Sequence, residues 1–101
     1  MTNESNTQNF SGQVALVTGS RRGIGFGIAM ELAKEGFNIA LNGTSKPAAS
    51  KDAVDAINAH NVDVEYIQAD ISSNDERRRL IDEIKRRFKN FRLLEFASAI
   101  V

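Results

Sequence analysis

The sequence predicts a doubly wound α/β fold, a parallel sheet of about four strands with three helices on its two faces. Short apolar runs of strand length alternate along the 101 residues with longer segments whose apolar residues recur at helical spacing. Each connection between two runs is long enough for the right-handed crossover that parallel strands require. A glycine-rich turn joins the first run directly to the first helical segment. These features predict one small domain, or part of one.

Apolar periodicity and turn residues set the bounds of the elements. In chain order, the predicted elements are a strand over 13–18, a helix over 23–35, a strand over 37–41, a loop over 42–47, a helix over 48–60, a strand over 62–70, a helix that begins at Ser73 and a strand over 91–101. Residues 1–9 are polar and predict a disordered tail. The remainder, 10–101, is predicted to form the folded part of the chain.

Local residues support the first half of this assignment. Ile24, Ile28 and Leu32 recur at helical spacing and form the predicted apolar stripe of the first helix. Gly36 suits the left-handed position that follows a helix. Pro47 suits the first turn of the second helix, where a missing backbone N–H costs nothing.

The second half rests on an alternating strand and a capped helix. Val62, Val64 and Tyr66 alternate with polar residues, so we interpret Tyr66 as a core residue of the third strand. Ser73 and Glu76 have the spacing of a capping box at the start of the third helix. The apolar stripe predicted for that helix consists of Leu80, Ile81, Ile84 and Phe88.

The turn between the first strand and the first helix predicts a phosphate-binding site. Gly19 can leave the strand with a positive φ, Gly23 can begin the helix with no Cβ in the way, and Gly25 allows close approach to the strand. Such a turn directs backbone N–H groups toward one point. A helix N-terminus also carries about half a positive elementary charge, so a phosphate or pyrophosphate is the expected ligand.

The spacing of these glycines resembles that of a known enzyme family. The common dinucleotide pattern G-x-G-x-x-G fails, because Ile28 stands at its last position. The chain instead has T-G-x-x-x-G-x-G, which begins at Thr18 and resembles the short-chain dehydrogenase/reductase family over about residues 10–90. The neighbouring words are most similar to the acyl-carrier-protein reductases of that family. The resemblance implies that 10–101 is a truncated dinucleotide-binding domain, with a partial Rossmann sheet of strand order 3-2-1-4.

The loop after the second predicted strand favours NADP(H) over NAD(H). Residues 39–45 hold no carboxylate that would accept a hydrogen bond from the 2′-hydroxyl of NAD(H) or repel a 2′-phosphate. Arg22 could reach such a phosphate, and the resemblance implies this role for Arg22 and for the hydroxyl of Thr44. Arg21 is a further basic candidate. The alternative is that Arg21, Arg22 and Lys46 are solvated loop charges.

The resemblance also implies the remaining contacts of a dinucleotide. Asp70 and Ile71 match an acidic-apolar pair that holds the adenine, the carboxylate on the exocyclic amine and the apolar side chain on the ring. Alternatively, Asp70 only terminates the third strand. Backbone groups of Gly19, Ser20 and Ile24 are expected to donate to the pyrophosphate and its riboses, and Ile24 to contact the nicotinamide.

Composition excludes several other classes of function. Thirteen basic and thirteen acidic residues cancel, so no overall field favours nucleic acid or a membrane surface. The sequence has no cysteine and no spacing of histidines and carboxylates typical of a metal site. No apolar run approaches the roughly 20 residues of a membrane span, and the polar start lacks a secretory signal. We therefore expect a cytoplasmic protein.

The residues for proton transfer are absent from this chain. The family pairs a tyrosine with a lysine four residues later, whereas the only tyrosine here, Tyr66, is followed at that spacing by Asp70. We therefore assign no catalytic residue and expect the chain alone to bind cofactor without turnover. The leading hypothesis is the cofactor-binding part of a carbonyl or enoyl reductase, with the substrate undetermined. The alternatives are a regulatory remnant that associates with itself or a full-length relative, and a non-functional fragment.

Overall fold

The computed structural model describes residues 13–19, 23–88 and 92–96. The elements in chain order are β1 (Gln13–Thr18), α1 (Gly23–Lys34), β2 (Asn38–Gly43), a short 3-10 helix (Pro47–Ser50), α2 (Lys51–Asn58), β3 (Val64–Gln68), α3 (Asn74–Arg87) and β4 (Arg92–Phe96). The tail predicted for 1–9 and the predicted continuation of the last strand over 97–101 lie outside the described residues. The predicted number and type of the main elements are confirmed.

All strand pairs in the sheet are parallel, and the order is β3-β2-β1-β4, as the resemblance implied. β1 has the predicted bounds. β2 runs two residues beyond its predicted end, because Asn42 and Gly43 still pair with Ile67 and Gln68 of β3. The prediction that Asn42 and Gly43 belong to a loop is therefore wrong.

Helix α1 presents a different face to the sheet from the one predicted. Ile24 is 65% exposed and Ile28 is 36% exposed, whereas Gly25, Ala29 and Ala33 are the buried residues of the helix. These three small residues recur every fourth position and form one face. Small side chains let a helix backbone lie close to a sheet, and the larger isoleucines are excluded from that contact. The predicted isoleucine stripe is thus wrong at its first two positions.

The reversed face of α1 makes a prediction about two neighbouring residues. We expect Ala29→Leu to lower the free energy of unfolding by about 1–3 kcal/mol, because Ala29 is fully buried in the packed core and added volume forces side chains and backbone apart. Ile28→Ala, at a third-exposed position, should cost less than about 1 kcal/mol. Urea unfolding of both variants measures this. A larger loss for Ile28→Ala would contradict the observed helix orientation.

The two faces of the sheet are covered by different helices. One core cluster joins α1 and α2 to side chains such as Val17, Ile39 and Leu41. The other joins Leu80, Ile84 and Phe88 of the α3 region to its own set of strand residues, Val14, Leu16, Ala40 and Ile67. This arrangement confirms a doubly wound α/β fold. Within the described ranges, no helix is long and apolar enough to cross a membrane.

Two side-chain interpretations can be compared with the structure directly. Tyr66 is buried in the core, and its hydroxyl donates to the carbonyl of Ser45 at 2.7 Å, so its assignment to the core is confirmed. Ser73 caps α3 by accepting from the N–H of Glu76 at 3.2 Å. The reciprocal half of the capping box is absent: the Glu76 carboxylate accepts instead from the N–H of Asp70 at 3.3 Å.

Candidate nucleotide-binding edge of the sheet

The carboxyl ends of β1, β2 and β3 meet at one edge of the sheet, which we call the carboxyl edge. The N–H of Gly19, just after β1, donates to the carbonyl of Asn42 in β2 at 2.8 Å. The N–H of Ala69, just after β3, donates to the carbonyl of Gly43 at 3.0 Å. Hydrogen bonding thus continues past the ends of the strands. In open α/β sheets this edge is where ligands bind.

The glycine turn follows β1 at this edge. Gly19 has φ of 63° and Gly23 has φ of 72°, both in the left-handed region that favours glycine. A Cβ on Gly23 would meet no atom within 4 Å, so glycine is required there by backbone conformation. We expected glycine here because a Cβ would be in the way. That reason is wrong, since the space is open and the positive φ is what favours glycine. Ser20, Arg21 and Arg22 lie outside the described residues.

The hydrogen bond of Gly19 changes the role expected of its backbone. Because its N–H donates to Asn42, that N–H is committed to the sheet and is not directed at a phosphate. Gly19 therefore shapes the turn. The remaining donors come from the start of α1, where the first N–H groups of any helix lack intrahelical partners. Gly23 and Ile24 are exposed in the first turn of α1, whereas Gly25 is one of the buried residues of that helix.

The loop after β3 holds Asp70 in one orientation. Its Oδ1 accepts from the N–H of Ser72 at 3.0 Å and from the hydroxyl of Ser72 at 2.7 Å. These two bonds stabilise the charged form and hold the pKa of the Asp70 carboxyl below its usual value. The backbone carbonyl of Asp70 also accepts from the N–H of Ser73 at 3.1 Å. An exposed, ionised carboxylate is therefore fixed beside the end of β3.

Glu76, in the first turn of α3, stabilises the same loop through a hydrogen bond to its backbone. Its Oε1 accepts from Arg79 at 3.0 Å as well as from the N–H of Asp70. Two hydrogen bonds lower the pKa of the Glu76 carboxyl: the one from Arg79 has the larger effect and the one from the Asp70 N–H the smaller. Arg79 also donates to the carbonyl of Gln68, the last residue of β3, at 2.6 Å. The first two turns of α3 thus fix the direction in which the Asp70 loop leaves the sheet.

An open cleft of about 590 Å³ brings two of the predicted site residues together. Thr44 and Asp70 both line it, together with Gln68, whose side-chain amide donates to the carbonyl of Thr44 at 3.0 Å. Thr44 and Asp70 are exposed. Ile71 is half-buried and packs against the α3 core cluster, so only part of its side chain faces solvent. The structure thus places Gly19, Thr44 and Asp70 along one edge.

Two residues that form hydrogen bonds at this edge, Asn42 and Gln68, were not predicted from the sequence. Asn42 is 2% exposed, and its side-chain Nδ2 donates to the carbonyls of Ile67 at 2.9 Å and Ala69 at 3.2 Å. Gln68 links the end of β3 to Thr44. A polar residue directly after the apolar run 39–41 was the available signal for Asn42. No signal in the sequence distinguished Gln68 from an ordinary exposed strand residue.

Comparison with known proteins identifies the family. A sequence model described as short chain dehydrogenase matches residues 13–99. The chain belongs to the short-chain dehydrogenase family. It is 43% identical over 77 residues to elsinochrome reductase 1 of Elsinoe fawcettii, and 40% identical over 80 residues to 3-oxoacyl-acyl-carrier-protein reductase FabG of Staphylococcus aureus.

These alignments cover most of this dehydrogenase-family chain and a minor part of the relatives. They include 76% of the chain and 29% of elsinochrome reductase 1, and 79% of the chain and 32% of the S. aureus reductase. The chain thus spans about a third of the length of these curated relatives.

Solved structures of the family have the same fold. A crystal structure of NAD⁺-bound xylitol dehydrogenase superposes with a TM-score of 0.72 at 31% identity, covering 80% of this chain and 31% of the other. An NADH-dependent reductase complexed with NAD gives a TM-score of 0.71 at 33% identity, covering 78% and 33%. Among the described residues of this family member, no group of three histidines or carboxylates could hold a metal ion.

Proposed function

We propose that this chain binds NADP(H) at the carboxyl edge and is the cofactor-binding part of a short-chain dehydrogenase/reductase. The observation that carries the proposal is the alignment of three features along one edge: the Gly19 turn before α1, Thr44 after β2 and Asp70 after β3. The start of α1, which follows the Gly19 turn, suits a pyrophosphate, since it supplies backbone donors and the positive end of a helix. Thr44 and Asp70 suit the adenosine half.

Asp70 has a free oxygen for the adenine amine in this proposal. Both hydrogen bonds from Ser72 go to Oδ1, and no donor in the described part of the chain reaches Oδ2. Ser72 therefore orients the carboxylate, and Oδ2 accepts from the exocyclic amine. The solvent-facing part of Ile71 covers the ring. Ile24, largely exposed at the first turn of α1, contacts the nicotinamide at the other end.

The preference for NADP(H) over NAD(H) rests on charge. Residues 39–45 carry no carboxylate, so nothing at the end of β2 repels a 2′-phosphate. The Thr44 hydroxyl is exposed at this point and can donate to a phosphate oxygen. Arg22 supplies the opposing positive charge. The two solved structures described above hold NAD, so the proposed preference for NADP(H) rests on the residues of this chain and not on those structures.

The reaction proposed for the full protein is reduction of a carbonyl or enoyl group by hydride transfer, with acyl-carrier-protein thioesters as one substrate class. The bound cofactor supplies the hydride. The present residues bind and orient the dinucleotide, whereas a Tyr-x-x-x-Lys pair is absent from this sequence. We therefore propose cofactor binding without turnover for the chain alone. We also propose that the protein acts in the cytoplasm.

Titration with NADPH, followed by cofactor fluorescence, tests the proposal. We expect saturable binding that Gly19→Ala weakens at least tenfold, because a Cβ at φ of 63° forces the turn to change. Gly36→Ala is the matched control, since Gly36 also has a positive φ, of 102°, but lies at the far end of α1. Absence of saturable binding by the folded chain, or equal losses in the two variants, would refute the proposal.

A further inference from the structure

One buried side chain connects the two ends of the proposed site. Asn42, near the end of β2, is 2% exposed and is flanked on its N-terminal side by the apolar run 39–41. Its backbone carbonyl accepts from the N–H of Gly19 on one side. Its side-chain amide donates to the carbonyls of Ile67 and Ala69 on the other side. The same residue therefore contacts both the glycine turn and the backbone that leads from β3 into the Asp70 loop.

The chemistry of this position calls for an explanation. An apolar side chain would continue the core at no desolvation cost, whereas a buried amide is tolerated only when its hydrogen bonds are made. The Asn42 amide reaches Ala69, one residue beyond the end of β3, and thereby holds the backbone at the residue before Asp70. Stability alone does not require a polar group here.

We propose that Asn42 is a positioning residue that fixes the separation between the Gly19 turn and the Asp70 loop. This inference rests on the proposed binding of a dinucleotide. Such a ligand has two halves, one on the turn and one beside Asp70, and it gains affinity when both subsites are held at the correct distance before binding. Asn42 acts through the backbone of its neighbours and need not contact the ligand.

Binding of whole and half ligands tests this role in the variant Asn42→Leu, which keeps the number and branching of the side-chain heavy atoms and removes the amide that makes both hydrogen bonds. We expect NADPH to bind at least tenfold more weakly than to the original chain. Adenosine 2′,5′-bisphosphate and inorganic pyrophosphate, which each occupy one subsite, should stay within about twofold. A purely structural role would weaken all three ligands together in proportion to lost stability, and that result would overturn the inference.

Asn38 provides a matched control on the same strand pair. Its Oδ1 accepts from the N–H of Asp63 at 2.9 Å, so it also joins β2 to the β3 side, but at the opposite edge of the sheet. Asn38→Leu should leave all three affinities within twofold. If it weakens NADPH as much as Asn42→Leu does, general loosening of the sheet explains the effect and the positioning role is refuted.

Hydrogen exchange without ligand separates failure of this inference from failure of the proposed function. The Gly19 amide bonds to the backbone carbonyl of Asn42, which the substitution keeps. Its exchange should nevertheless accelerate at least fivefold in Asn42→Leu if that residue couples the two sides. Unchanged exchange overturns the inference even when NADPH binds. If Asn42→Leu fails to fold, Asn42→Thr, whose shorter side chain loses the bond to Ala69, gives the same comparison.

Discussion

Replacing Thr44 with aspartate is expected to reverse the proposed preference for NADP(H), with a change of about 100-fold in the ratio of NADPH to NADH affinity. Thr44 is exposed at the end of β2 and lines the same cleft as Asp70. A carboxylate there accepts a hydrogen bond from the 2′-hydroxyl of NADH and repels the 2′-phosphate of NADPH. A charge-assisted hydrogen bond is worth about 1.5–3 kcal/mol, and each 1.4 kcal/mol is a factor of ten in affinity.

The fold should tolerate this change, so affinity can be measured on an intact protein. The hydrogen bond that holds Thr44 to Gln68 uses the Thr44 backbone carbonyl, which every substitution keeps. Thr44→Asn is the matched control, with similar size and no charge, and it should change the ratio by less than about fivefold. Titrations at low ionic strength are preferable, because salt screens an exposed charge. An affinity ratio in Thr44→Asp within threefold of the original would contradict the assignment of Thr44 to the 2′-phosphate region.

Element order was predictable because each signal was local. The apolar run of β1, Gly36 after α1 and the cap at Ser73 all depend on residues within one or two turns of each other. The orientation of α1 was not. Two rows of residues four apart compete on that helix, one large (Ile24, Ile28) and one small (Ala29, Ala33). Hydrophobicity favours the large row, whereas in the structure the small row is buried against the sheet and the large row is exposed.

The candidate site divides in the same way. Glycines, Thr44 and Asp70 could be placed at one edge from the order of the strands, since parallel strands direct their carboxyl ends to the same side. The role proposed for Asn42 depends on carbonyls 25 and 27 residues later in the chain, at Ile67 and Ala69. The hydrogen bond of the Gly19 N–H likewise has a distant acceptor, the backbone carbonyl of Asn42. Long-range hydrogen bonds of this kind leave no periodic pattern in the sequence.

Truncating Ile84 to alanine is expected to lower the free energy of unfolding by about 2–5 kcal/mol. Ile84 is fully buried between α3 and the sheet, in the cluster that contains Val14, Leu16 and Ala40. The loss combines the transfer free energy of the missing methylene and methyl groups with the cost of the cavity that they leave. The free energy of unfolding of a native domain is only about 5–15 kcal/mol, so this one change removes a large fraction of it.

Ile81, one turn earlier on α3 and only half-buried, provides the contrast, and Ile81→Ala should cost less than half as much. Urea unfolding gives both values, and Ile84→Val, with an expected loss of about 0.5–1.5 kcal/mol, extends the series if the alanine variant does not fold. The site should respond too, because α3 begins directly after the Asp70 loop and Glu76 braces it. Equal losses at the two positions would mean that α3 does not pack on the sheet through Ile84, and the support inferred for Asp70 would be lost with it.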